Sequence, residues 1–161
     1  MSRMVAIAVA LVLGVLTLGI VFLLGMRAKS PPVLSAVRRM NRRFVNPRQM
    51  RTAGTPGAYA SIVQHTGRNS GKPYETPVET FRTDDGFVIV SPYGTQSDWL
   101  KNVLARGSAT IVRDGQAYRV HRPELLPIEA ADPFLPDGER RNLRLFNVQQ
   151  CLRLHLVTDE A

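Results

Sequence analysis

The chain opens on a run of apolar residues, Met4 to Met26, that no charge interrupts. A helix of that length spans roughly 34 Å, enough to cross the hydrocarbon core of a bilayer with some tilt. Gly14 and Gly19 within it are tolerated in membrane helices. The pattern then changes. Val33, Val37, Met40 and Phe44 recur at helical spacing, with Arg38, Arg39, Arg42 and Arg43 on the remaining faces, which predicts an amphipathic helix over residues 33–45. Between Asn46 and Gly57 the chain is rich in Pro, Gly, Thr and Gln and reads as a linker.

Beyond it the pattern is that of short strands, expected at 59–65, 77–82, 86–91, 108–113, 116–122 and 152–157. Asp84-Asp85-Gly86 and Asp114-Gly115 are turn signals, the second predicting a tight hairpin between Ile111 and Tyr118. Ser97 or Asp98 can cap a helix whose apolar face is Trp99, Leu100, Val103 and Leu104 and which ends at Arg106-Gly107. A second helical segment is expected within 129–150, interrupted at its start by Pro133 and Pro136. Short strands with one or two packed helices predict an α+β domain built on a small β-barrel. Three parts follow: residues 1–30 as a membrane anchor, 31–54 as a basic juxtamembrane helix and linker, and 55–161 as the barrel domain.

Charge sharpens this organisation. The net charge is +8, and no Asp or Glu precedes Glu75. Eight basic residues from Arg27 to Arg51 follow the apolar run, whereas only Arg3 and the terminal amine precede it. The positive-inside rule then puts the C-terminal side in the cytoplasm, as a single-pass protein of the plasma membrane. The competing reading is a cleaved signal peptide, but the run is longer than a usual h-region and lacks a small-x-small site before Arg27. The basic helix can lie on anionic headgroups, each residue near the surface adding about 1 kcal/mol, or pack on the barrel with its arginines solvated; the two are compatible. Without interleaved aromatic stacking residues, nucleic-acid binding is not expected. Cys151, the sole cysteine, has no internal disulfide partner and reads as a small buried hydrophobe.

The candidate chemistry lies in the turn from His65 to Val78. Gly67 and Gly71 allow close backbone approach, and successive amides there can form an anion-binding nest. Arg68 and Lys72 bring positive charge; Thr66, Ser70 and Thr76 bring hydroxyls. This is neither a P-loop, since three residues separate the glycines and Pro73 follows Lys72, nor a nucleophile elbow, since Ser70 directly precedes Gly71. A solvated basic hairpin turn is the plain alternative. Further on, Ser91-Pro92-Tyr93-Gly94 leaves a strand and leads into the Trp99 helix, whose N-terminal amides attract anions.

Thr66-Gly67-Arg68-Asn69-Ser70-Gly71-Lys72-Pro73 with Thr76-Pro77-Val78, then Ser91-Pro92-Tyr93-Gly94, then Asp98-Trp99-Leu100-Lys101-Asn102-Val103-Leu104 resemble, in order and spacing, the deazaflavin-dependent nitroreductase and quinone-reductase family. The resemblance covers roughly residues 55 to 157. It implies a split β-barrel that binds a reduced 8-hydroxy-5-deazaflavin coenzyme (coenzyme F-420), with FMN as an alternative, and passes its hydride to a quinone or a nitro compound. It further implies that Thr66, Gly67, Arg68, Ser70, Gly71, Lys72, Thr76 and Pro77 meet the cofactor's anionic end. Ser91, Tyr93 and Gly94 would border its ring, while Trp99 and Asn102 would support the site. Many relatives carry Lys at the position of Asn69 and Arg at that of Tyr74, so positive charge is subtracted here. Split barrels often complete their site from two chains, so a homodimer is an expected partner.

His65, His121 and His155 stand singly, without zinc-ligand spacing, and no metal site is expected. Glu75 and Glu79, four apart, read as partners of Arg82 or Arg119 rather than as an acid/base pair. The hard chemical step therefore falls to a bound carrier, with the protein supplying placement and electrostatics. Tyr93 or Tyr74 can donate the proton that a reduced acceptor needs. The anchor favours a lipid-dissolved acceptor such as a menaquinone. Two other classes fit the same residues: a non-catalytic membrane-tethered barrel for a flavin, haem or fatty-acyl ligand, and a membrane-surface scaffold in which the arginine-rich helix is the active part.

Overall fold

The structure, a computed structural model, describes residues 3–92 and 94–157. Helix α1, Arg3–Arg27, carries the apolar run; almost every side chain along it is exposed, and only Met26 at its end is buried. It is long and apolar enough to cross a membrane. Helix α2, Pro31–Met40, opens on two prolines, which suit the first turn because their missing N–H groups have no helical partner there. It passes into a π-helical turn, Asn41–Val45, and a last short helix α3, Asn46–Gln49. The start of the expected linker is thus helical. The rest of that segment is also tied down: Gly54 accepts a hydrogen bond from the Gly115 amide at 2.6 Å, and the Gly57 amide donates to Asp114 Oδ1 at 3.0 Å.

Strands β1 (Ser61–Thr66), β2 (Pro73–Val78), β3 (Thr80–Arg82) and β4 (Gly86–Val90) come next. Helix α4 (Asp98–Arg106), β5 (Ser108–Arg113), β6 (Gln116–Pro127), a 3-10 segment (Ile128–Phe134), α5 (Asp137–Leu145) and β7 (Gln150–Leu156) complete the domain. The seven strands form one antiparallel sheet in the order β2-β1-β5-β6-β7-β4-β3. Its two edge strands, β2 and β3, are separated in the chain by Glu79 alone. A sheet whose opposite edges are joined by one residue has to roll. Thr80 on the β3 edge correspondingly meets Ser61 of β1, hydroxyl to hydroxyl at 2.7 Å, and receives the Arg113 guanidinium on its carbonyl and hydroxyl. The fold is α+β, a seven-stranded antiparallel half-barrel with packed helices.

Two differences from the sequence pattern have local causes. The stretch expected as one strand at 77–82 is divided between β2 and β3, because the chain passes from one sheet edge to the other there. Strand β6 runs on to Pro127 because a register shift between His121 and Glu124 absorbs Pro123, which cannot donate to the ladder. The Asp114-Gly115 hairpin forms as expected, with both residues at positive φ and Ile111 opposite Tyr118.

Inside the roll lie Val63, Phe87, Ile89, Ile111, Val120, Leu152 and Leu154, closed by Leu100 and Val103 of α4. Strand β4 is buried on both faces: Val88 turns outward into a second core with Phe81, Leu135, Leu143 and Cys151 beneath α5. A third cluster, Met26, Leu34 and Val37 with Phe146 against it, seats the end of α1 on the domain. There Arg27 Nη1 donates to the carbonyl of Leu145 at 2.7 Å, and Lys29 Nζ to those of Phe146 at 2.9 Å and Pro92 at 3.3 Å. Cations at a helix C-terminus complement its orphan carbonyls. Helix α1 is joined to the domain by these bonds as well as by the chain.

Candidate cofactor cleft and the cavity beside it

The turn between β1 and β2 folds back on itself because its amides are used internally. Gly67 N donates to Lys72 O at 2.8 Å, Gly71 N to Gly67 O at 3.0 Å, and Lys72 N to Ser70 Oγ at 3.3 Å. A Cβ on Gly67 would stand 2.4 Å from Ser70 Oγ and 2.8 Å from the Tyr74 ring, so only glycine closes the turn this tightly; Gly71 takes φ +66°. The Arg68 amide is also engaged, with Asn102 Oδ1 at 3.1 Å. The anion nest expected of this turn is therefore largely closed by the protein's own acceptors.

What the turn builds instead is a polar network against α4. Arg68 Nη1 donates to Asn102 Oδ1 at 2.8 Å and to the Asp98 carbonyl at 3.3 Å, while Nη2 pairs with Asp98 Oδ1 at 3.1 Å. Asn102, 6% exposed, thus turns its oxygen to Arg68, which has only donors to offer, and its amide nitrogen to His65 Nδ1 at 3.2 Å. That makes Nδ1 the acceptor and leaves Nε2–H to donate to Thr76 Oγ1 at 3.2 Å. His65 stacks on Tyr74 with centroids 5.8 Å apart, and burial holds its pKa below the ordinary value. Neutral His65 is the form the network requires.

Sequence reasoning set His65 aside as a lone histidine. Its alternation into the barrel wall, opposite Tyr74, is the signal that places it in the network. The expected side-chain cap at the start of α4 is not made: Ser97 Oγ is buried without a partner and Asp98 turns to Arg68.

Above this network opens a cleft of about 570 Å³. Of the sequence-derived candidates, Gly67, Arg68, Ser70, Tyr74, Thr76, Trp99 and Asn102 line it, as does Asn69. Its remaining wall comes from α2 and the segment after it, through Arg38, Asn41, Arg42 and Asn46. Those four were not foreseen as site residues: the helical pattern put Arg38 and Arg42 on a membrane-facing or solvated surface, and Asn46 was read as the start of the linker. Lys72 and Gly71 lie exposed outside the cleft, Pro77 is buried in the sheet opposite Ile62, and Thr66 faces a separate polar depression near Arg106. Of the carboxylates weighed earlier, Glu75 accepts from Gln64 at 2.9 Å and Glu79 from Tyr59 at 2.6 Å. Arg82 instead lies over the rings of Phe87 and Tyr118, 4.9 Å from each centroid.

Ser91 and Gly94 line a different cavity, of about 310 Å³ and mostly apolar, walled by Ile89, Leu100, Leu125 and Leu152. The Ser91 hydroxyl donates to Gly94 O at 3.2 Å, and Tyr93 lies outside the described residues. Lys29, just after α1, and Leu34 of α2, which packs on Met26 at the end of α1, border this cavity, and Trp99 is common to it and to the cleft. A polar, cationic compartment thus shares Trp99 with an apolar one bordered by the segment that follows α1. The first fits an anionic group and the second a flat or lipid-like one.

Residues 36–129 match the family described as F420H(2)-dependent quinone reductase. No curated protein sequence matches the chain. Among solved structures, an F420-H2 dependent reductase is similar at 12% identity over 60% of this chain and 94% of its own, with a TM-score of 0.45. A putative 5-nitroimidazole antibiotic resistance protein from Bacteroides thetaiotaomicron is similar at 15% identity over 63% of this chain and 75% of its own, with a TM-score of 0.47. The haem storage protein HutZ from Vibrio cholerae is similar at 10% identity over 62% and 82%, with a TM-score of 0.44.

Proposed function

Since this chain belongs to the F420H(2)-dependent quinone reductase family, a family of enzymes, we propose that it is a membrane-anchored oxidoreductase. In this reading it uses a reduced deazaflavin coenzyme to reduce a membrane quinone, with nitro compounds as further acceptors. The carrying observation is the adjacency of the two compartments across Trp99, the apolar one bordered by Lys29 and Leu34 just after α1. Arg68, Ser70 and Thr76 hold the coenzyme's anionic end in the cleft, while Ser91 and Gly94 border its ring. The coenzyme supplies the hydride when bound. The chain's own residues orient it, keep water out and hold charge.

The Asn102–His65 network keeps Arg68 in place, so the guanidinium face presented to the cleft is fixed before any ligand arrives. The Tyr74 hydroxyl, 3.3 Å from Ser70 Oγ, and Tyr93 are the proton donors in this proposal. Helix α1 spans the plasma membrane once with the half-barrel in the cytoplasm, and its docking beside the apolar cavity gives a lipid-dissolved quinone a short path from the bilayer. The exposed Arg39 and Arg43, with Met40 and Phe44 beside them, lie on anionic headgroups.

The test is made on the full chain in neutral detergent micelles. Oxidised deazaflavin coenzyme, FMN and haem are titrated separately, and oxidation of the reduced coenzyme is then followed with a quinone or a nitroaromatic. Deazaflavin binding with quinone-dependent oxidation is the expected result. Absence of deazaflavin binding would remove the proposal. Binding without turnover would favour a carrier.

A further inference from the structure

Among the described residues lining the cleft, the acidic groups are engaged and two arginines lack a carboxylate partner. Arg68 is paired with Asp98 at 3.1 Å, and Glu75 accepts from Gln64 at 2.9 Å. Arg38 and Arg42, which line the same cleft from the juxtamembrane helix, have no carboxylate partner among the described residues. Arg38 makes the sharper case. Its Nη2 donates to Ser35 Oγ at 3.3 Å, but its Nη1 is fully buried without any hydrogen-bond partner. A buried guanidinium nitrogen with nothing to donate to is costly to hold. An acceptor brought against Nη1 would remove that cost.

The arginines of this helix also divide by face. Arg38, half-buried, and Arg42, exposed, are four apart and both line the cleft; Arg39 and Arg43, likewise four apart, are exposed and lie outside its lining. The π-helical turn that begins at Asn41 shifts the register just where the helix crosses the cleft, and Asn46 reaches the same wall beyond it.

We propose that Arg38 and Arg42 bind an anionic phosphodiester or carboxylate group in the cleft opposite Arg68, making the juxtamembrane helix one wall of the coenzyme site. This rests on the deazaflavin reading above. It departs from that reading in moving the main uncompensated positive charge from the glycine turn to the helix that follows the membrane span. The helix then has two jobs on two faces: Arg38 and Arg42 toward the coenzyme, Arg39 and Arg43 toward lipid. A lipid headgroup carries the same phosphodiester chemistry, so the test separates the two sources.

Full-length protein in neutral detergent, free of lipid, is titrated with oxidised deazaflavin coenzyme at several salt concentrations. Arg38→Met and Arg42→Ala are each expected to weaken binding about tenfold to a hundredfold and to flatten the dependence of log Kd on log salt. Arg39→Met and Arg43→Ala are expected to leave the coenzyme Kd unchanged and to weaken binding of the detergent-solubilised protein to vesicles containing phosphatidylserine. In the ligand-free state, Arg38→Met is expected to keep or raise the thermal midpoint, because it removes an unpaired buried donor. A purely structural arginine would lower it. If the parent binds coenzyme and both cleft-facing variants bind within twofold of it, this inference falls while the functional reading stands. The same holds if those variants lose only vesicle binding, which would assign the pair to lipid. If the parent itself does not bind, the deazaflavin reading falls, and this inference with it.

Discussion

Asn102 is the residue on which the proposed site turns, and its removal has a computable consequence. In Asn102→Ala, three groups lose a hydrogen bond at once: the Arg68 amide (3.1 Å), Arg68 Nη1 (2.8 Å) and His65 Nδ1 (3.2 Å). Arg68 is about one-third exposed and keeps Asp98, so water and that carboxylate replace much of its loss. His65, only 8% exposed, has no such recourse. An unsatisfied buried donor or acceptor costs about 1–3 kcal/mol, and the Arg68 amide adds a smaller share, so the expected loss is about 2–4 kcal/mol. That is a fall in thermal midpoint on the order of 10 °C for a domain of this size.

Thermal and chemical unfolding of the detergent-solubilised chain measures it. A double-mutant cycle with His65→Ala is expected to show coupling of about 1 kcal/mol or more, because the second substitution removes a group the first has already orphaned. A loss under about 0.5 kcal/mol, or additive behaviour of the pair, would refute the network as the clamp of the turn onto α4.

Other expectations follow from single features. Gly67→Ala should open the β1–β2 turn, since its Cβ would fall within 2.8 Å of the Tyr74 ring and closer still to Ser70 Oγ; a raised coenzyme Kd and faster amide exchange at residues 67–72 are the readouts. Asp85 is held down at about 2 by its hydrogen bonds from Arg153, Thr83 and His155. Its contribution to stability is therefore complete above its ordinary value near pH 4 and fades as pH falls from 4 to 2, and Asp85→Asn should flatten the denaturation midpoint across that window. His65 has its pKa lowered by burial, so the unfolded chain takes up its proton first and stability should decline as pH falls below about 6.5; His65→Gln should remove that part of the slope. Gly25→Leu should loosen α1 from the domain, because a Cβ at Gly25 already meets Val33 Cγ2 at 2.6 Å, and faster tryptic cleavage after Arg27 or Lys29 would report it.

Much of this molecule is written in local pattern. The apolar run, the strands of the β5–β6 hairpin, the Asp114-Gly115 turn and the αL end of α4 at Gly107 need only the period of hydrophobic positions and the φ preference of a few residues. The ordered motifs around Arg68, Ser91 and Trp99 likewise carried the family expectation, which the match over residues 36–129 meets. What pattern cannot carry is which partner each polar group takes, because that is fixed by elements distant in the chain. Asp98, a natural cap for its own helix, is claimed by Arg68 from another turn. Lys72 lies exposed outside the cleft although it is four residues from Arg68, whereas Arg38 arrives there from helix α2. His65 gains its fixed tautomer only because Asn102 is brought against it by the packing of α4 on the rolled sheet. The sequence by itself determined the elements and the kind of chemistry; closure of the half-barrel, which pays for burying these polar groups by pairing them, decided which residues face the cleft.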